Sequence, residues 1–277
     1  MEKVYAYIRT LSLDVVAGAL FSTLALSRLL NVDPGVPVLL ALCFAVWVVY
    51  TFDHLIDARK IDHEAHTPRH RFHQRYFSVL AIAITLFALS GVVLLFKIPR
   101  STLIAGLAVS AVTLVYFLTL RLFKLRTAFQ KELFIALVYV LGIFTAPVSL
   151  SHQASFPYLY LLFGQYLLLA FANLVLFAWY EQDTDRADGH SSLVLKIGSR
   201  KSFRLVSALF GLTGLSIAYG LLTSTPISTA WWYQVVLFCM LATLVFLGLF
   251  PAYFRVNERY RAFGDGAFMI PGLILLL

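Results

Sequence analysis

Charged side chains are scarce in this chain: Asp, Glu, Lys and Arg make up 13% of its 277 residues, too few to clothe the surface of a water-soluble domain of that length. Cysteine is nearly absent. Cys43 and Cys239 lie far apart in apolar runs, which excludes a disulfide framework or a zinc spacing and leaves two expected core thiols. Proline is also scarce inside the long apolar runs, with Pro147 near the end of its run, and this argues against a transporter with broken helices around a midplane site. What remains is apolar: 60% hydrophobic residues and a mean hydropathy of +0.83. The runs repeatedly approach the ~20 residues that span a bilayer, so the chain reads as an all-α, polytopic integral membrane protein. The segment after MEKVYAYIRTLSLD is too long for a signal-peptide core and lacks a clear small-residue cleavage site, which makes it the first retained helix.

Hydropathy predicts nine transmembrane helices, near 11–30, 35–52, 77–97, 101–120, 130–149, 157–180, 203–223, 229–251 and 264–277, in a single domain over 1–277. With the N-terminus in the cytoplasm, 19 of the 22 Lys and Arg residues fall on the cytoplasmic side. The positive-inside rule then accounts for the net charge of +8 without nucleic acid. The expected location is the cell (inner) membrane, with the lipid bilayer as a partner. Acidic residues and histidines concentrate in two cytoplasmic loops, at about 53–76 and 181–202, which hold eight of the 14 acids and six of the seven histidines. Catalysis is expected there.

Each loop opens on a carboxylate pair with a spacing of four, Asp53 with Asp57 and Glu181 with Asp185. On a helix continuing past the membrane edge, such a pair stacks on one face. The two pairs are separated by an even number of crossings, so both reach the same membrane face and can line one cavity. Carboxylates so placed suit Mg²⁺ bridging a diphosphate, because Mg²⁺ takes a few carboxylates together with phosphate oxygens.

This pattern resembles the UbiA family of intramembrane prenyltransferases, nine-helix proteins with aspartate-rich motifs after helices 2 and 6, and the resemblance covers the whole chain. Asp53 and Asp57 match the aspartates of NxxxDxxxD, with Val49 in the place of the asparagine, and HTPRHRF loosely follows the family's RTxxRP segment. Glu181 and Asp185 match the DxxxD motif, with Gly189, Ser192 and Gly198 in comparable places after it. The resemblance implies a bundle enclosing a lipid-accessible cavity, and Mg²⁺-dependent transfer of a prenyl group from an allylic prenyl diphosphate to a small-molecule acceptor. It also implies metal ligation and catalysis by Asp53, Asp57, Glu181 and Asp185.

Cations for the diphosphate are expected from Arg69, Arg71, Lys131 and Lys196, arginine being suited to bidentate phosphate contact. Auxiliary candidates are Asn173, Tyr50, Tyr180 and Asp188. Asn173 can supply an amide or hydrogen-bond between helices, and the two tyrosines can face a carbocation or belong to the interfacial aromatic belt. Asp188 can be a secondary ligand or a solvated acid. Glu132 and Asp14 read as helix-dipole partners. Three alternatives stay open: a catalytically silent relative; a transporter; and a di-iron hydroxylase or desaturase. The last rests on the spacing of His63, His66, His70 and His73, with His54 and His190 outside that run.

Overall fold

The computed structural model describes residues 7–123, 128–151, 156–189 and 191–277. The chain folds into α1 (Leu13–Leu29), α2 (Gly35–Arg59), α3 (Pro68–Arg75), α4 (Phe77–Leu95), α5 (Arg100–Phe123), α6 (Ala128–Leu150), α7 (Phe156–Ala187), α8 (Leu193–Ile197), α9 (Ser199–Thr223), α10 (Thr229–Leu249), α11 (Pro251–Arg255) and α12 (Arg259–Ala267), with 3₁₀ turns at Val256–Glu258 and Ile270–Leu276. Six of these helices are long and apolar enough to cross a membrane. Their outward faces require one: α4 exposes Val79, Ile82, Leu86, Leu89 and Val93, and only lipid tolerates such a continuous apolar surface. Cys239 lies on one of these exposed faces and Cys43 is half-buried. The expectation of two core thiols is corrected accordingly, because an apolar run in a membrane protein need not face the protein interior.

Helix α7 is the centre of the bundle. Of its most apolar window 67% is buried, against 6% for α4. It packs on α6, α9 and α10, while α1 packs on α2, α6 and the C-terminal 3₁₀ segment. Buried polar pairs fix these neighbours: Gln165 Nε2 donates to Gln234 Oε1 at 2.9 Å, and the hydroxyls of Tyr166 and Tyr233 lie 2.8 Å apart, joining α7 to α10. In hydrocarbon such contacts hold helices in register because no water competes for them.

The sequence and structure differ at the C-terminus. The expected helix over 264–277 is α-helical only to Ala267 and then becomes a 3₁₀ turn. Pro271 has no N–H to donate, and the N–H groups of Phe268, Met269 and Gly272 bond three residues back, which tightens the chain. The tightened segment still packs on α1 and α10. Both acidic motifs do extend their helices, since α2 runs on to Arg59 and α7 to Ala187. The short helices α3 and α8 inside the motif loops were not evident in the hydropathy.

Candidate active site

A cavity of about 570 Å³ opens where the ends of α2, α6 and α7 meet α1, α3 and α12. Along α2, α6 and α7, away from the motif acids, its wall is apolar, formed by Val49, Ile135, Ala170 and Leu174. Its other end is charged. Along α7 the lining runs from Ala170 to Asp185, about 22 Å at 1.5 Å per residue. The space can therefore take a long molecule with one greasy end and one ionic end.

The four motif carboxylates, Asp53, Asp57, Glu181 and Asp185, all line this cavity, as do Arg69, Lys131, Asn173, Tyr50 and Val49. The i, i+4 spacing on two continuing helices is what brings the acids to one place. Lys131, on the first turns of α6, donates to Asp57 Oδ2 at 2.8 Å and stands 3.6 Å from Asp53 Oδ1. Lys60 donates to Asp57 Oδ1 at 2.8 Å.

The local sequence explains how Arg69 arrives. Thr67 caps α3 by accepting from the His70 N–H at 3.2 Å, and Pro68 follows at the first helical position, where its missing N–H costs nothing. The guanidinium of Arg69 then reaches within 3.9 Å of Glu181 Oε2 and 3.5 Å of His54 Nε2. Burial, with Arg261 nearby, pushes Arg69 below its usual value, but an arginine remains charged.

Several lining residues were not singled out in the sequence. Arg261 pairs with Glu181 Oε1, which also accepts from the Tyr260 hydroxyl at 2.8 Å. Burial works against the charge on Arg261, but Glu181 outweighs it and holds the guanidinium above its usual value. Burial and Glu181 together push the Tyr260 hydroxyl up. Asp265 lies one turn after Arg261 and also lines the cavity. The signal was present as an Arg–Asp spacing of four beside an apolar end, hidden among basic residues that topology alone explains.

Asp14 is buried in the same cavity, where its Oδ1 accepts from the Val15 N–H and its Oδ2 has no hydrogen-bond partner among the described residues. Glu132, near the start of α6, reaches beyond its own helix. Its Oε1 accepts from the Leu193 N–H at 2.8 Å and so caps α8 from across the bundle. Asn173 Oδ1 is buried without a donor among the described residues. The backbone of Gly264 crosses beside it, and a Cβ at Gly264 would stand 2.5 Å from that oxygen, so only glycine allows α12 this close to α7.

Four expected residues do not join the cavity lining. Arg71 is exposed and stands 3.7 Å from Glu64, because it lies two residues along α3 from Arg69 and so faces another way. Lys196 is exposed on α8. The Tyr180 hydroxyl donates to Leu247 O at 2.6 Å and its ring stacks on Tyr260 at 4.3 Å, turned toward α10 and α12. Asp188 is buried but sits against His63 and His66. The described histidines fall into two groups, with His54, His70 and His73 around Arg69, and His63 and His66 outside the cavity. His190 lies outside the described residues.

The donor set fits a divalent metal. Seven carboxylates and five Lys or Arg side chains line the cavity. The excess of two negative charges in a confined space calls for a dication or for protons. Asp53, Asp57 and Asp185 offer oxygen ligands, and Glu181 keeps Oε2 beyond hydrogen-bond distance of Arg69.

Comparison with protein-family models and with curated proteins finds no match. Among solved structures, the chain is similar to a digeranylgeranylglyceryl phosphate synthase in membranes, a UbiA-type prenyltransferase, at 16% identity and a TM-score of 0.56, with 100% of this chain and 95% of that one covered. At that identity the likeness is one of fold, and it agrees with the expected all-helical membrane architecture; of the nine spanning helices expected, six among the described residues are long and apolar enough to cross a membrane.

Proposed function

We propose that this protein is an intramembrane prenyltransferase that binds an allylic prenyl diphosphate in the cavity between α2, α6 and α7 and transfers the prenyl group to a small-molecule acceptor. The observation that carries the reading is the division of one cavity into an apolar depth and a charged mouth where both carboxylate pairs meet Arg69, Lys131 and Arg261. The similarity of fold to a prenyltransferase supports it. The positive-inside distribution supports a cytoplasmic mouth in the cell membrane.

Asp53, Asp57, Asp185 and Glu181 would hold Mg²⁺. When bound, the metal neutralises charge on the departing diphosphate. Arg69 and Arg261 present guanidinium groups to the diphosphate oxygens, and each is pre-set by a carboxylate rather than ordered at the moment of binding. Lys131, which bridges Asp53 and Asp57, would offer its ammonium group to the diphosphate beside them. Val15, Ile135, Leu174 and Phe268 exclude water from the prenyl tail. The rings of Tyr50, Tyr139 and Phe177 offer π-faces to positive charge on the allylic carbon.

The test is thermal stability of the detergent-solubilised protein with farnesyl or geranylgeranyl diphosphate. A ligand at a hundred times its Kd adds about 2.7 kcal/mol to the native state. A rise in melting temperature is expected with Mg²⁺ and not with EDTA, and it should vanish in Asp53→Ala and Asp185→Ala. A second reading is favoured by the Lys131 and Arg261 ion pairs: the carboxylates serve the fold alone, in a catalytically silent protein. The absence of any Mg²⁺-dependent response in the unaltered chain would favour it, or a different substrate.

A further inference from the structure

Outside the cavity, the loop after α2 carries His63 and His66 against Asp188 at the C-terminal end of α7. The His63 Nε2 is 3.3 Å and the His66 Nδ1 is 2.5 Å from the same oxygen, Asp188 Oδ1. The potential ligand atoms of all three residues lie within 4.8 Å of one another. Two ligands at about 2.0–2.1 Å on a tetrahedral ion stand roughly 3.4 Å apart. The His63 contact already has that spacing, and the His66 contact reaches it by opening about 0.9 Å.

The group is held in place before any ion arrives. Gln74 fixes the loop, with its Oε1 accepting from the Ala65 N–H at 3.1 Å and its Nε2 donating to His63 O at 2.9 Å. The His66 N–H donates to both Asp188 oxygens, at 3.2 and 3.3 Å, and orients the carboxylate as an outer partner orients a metal ligand. Gly189, with φ at +69°, ends α7 directly after Asp188 and lines the cavity. The Asp188 side chain is 1% exposed while the two imidazoles are about half exposed. An ion can therefore approach from solvent and meet a fixed carboxylate behind two accessible rings.

We propose that His63, His66 and Asp188 form a second metal site that takes a zinc-class divalent cation and fastens the two acidic motif segments together beside the cavity mouth. The donor set decides the class: imidazole nitrogens suit Zn²⁺, Co²⁺ or Ni²⁺, whereas Mg²⁺ prefers oxygen. Water completes the coordination on the exposed side. The ion joins residues 125 positions apart in the chain, so it restrains how far the α2 loop moves from α7. The site stands independently of the prenyl-transfer reading and survives if that reading fails.

The experiment uses the full chain in detergent, freed of transition metal and kept in excess Mg²⁺ so that any oxygen-rich site is filled. Co²⁺ is added while its ligand-field absorption is followed, and Zn²⁺ then competes. The expected result is a band that saturates at one equivalent, is displaced by Zn²⁺, and disappears in Asp188→Asn and in the double variant His63→Ala with His66→Ala. A rise in melting temperature of the unaltered protein on adding Zn²⁺ should accompany it. No saturable band in the unaltered chain would overturn the proposal. So would a band that survives in the double variant, or one lost on Asp53→Asn instead, which would place the ion in the cavity.

Discussion

Replacing Arg261 by methionine removes the guanidinium that neutralises Glu181 and leaves a carboxylate 13% exposed with the Tyr260 hydroxyl at 2.8 Å and Arg69 at 3.9 Å. Breaking a buried pair from one side costs about 3–5 kcal/mol, because the surviving charge keeps its desolvation penalty. Since Tyr260 and Arg69 stay within reach, the lower end applies, and about 3 kcal/mol corresponds to a fall of about 6–12 °C in melting temperature for a chain of this size. Glu181→Gln has the mirror effect by leaving Arg261 buried without its partner. In the double variant both charges are gone, so the loss should be smaller than the sum of the singles by about 2 kcal/mol. Melting of the four proteins in the same detergent, without ligand or Mg²⁺, completes the cycle. A coupling within about 0.5 kcal/mol of zero would refute the claim that Arg261 and Glu181 act as a pair.

Lys131→Ala leaves Asp53 and Asp57 facing each other with Lys60 as the nearest remaining cation. Its melting temperature should fall without Mg²⁺ and recover more than that of the unaltered protein when Mg²⁺ is added. Equal responses in the two proteins would argue against metal at this pair. Burial raises Asp188, but the hydrogen bonds from the His66 ring and backbone outweigh it and hold the carboxyl below the usual range. Its contribution to stability is therefore full above the ordinary carboxylate value near 3.9 and is lost as pH falls through the lower folded value. Asp188→Asn should flatten this acid limb of a melting-temperature profile, and an unchanged limb would assign the loss to other carboxylates. Gly264→Val forces a side chain into Asn173 and Phe177; it should cost about 1–3 kcal/mol, measured by melting, and a neutral result would mean that α12 shifts freely.

The membrane character of the chain and the two carboxylate pairs were legible because each rests on local periodicity. An apolar run of about twenty residues has few other stable uses, and a spacing of four on a helix sets Asp53 over Asp57 whatever surrounds them. Two expected helices ending on acids at the same membrane face were enough to predict a shared cavity. Arg261 and Asp265 were less visible, because a basic stretch after an apolar run is what topology demands of any membrane protein. The C-terminal helix was overextended for a similar reason, as hydropathy registers Leu, Ile and Met but not the missing N–H of Pro271.

By itself, then, the sequence determined the solvent this protein folds in, its all-helical character and the carboxylate pairs that extend two of its helices, since these follow from hydropathy and from the 3.6-residue turn. Only the tertiary structure decided which cation meets which carboxylate. Lys131 reaches Asp57 across 74 residues, Arg261 reaches Glu181 across 80, and the Leu193 N–H reaches Glu132 across 61. Such partners are selected by how helices pack around α7, and packing depends on the shapes of many side chains at once rather than on any spacing along the chain.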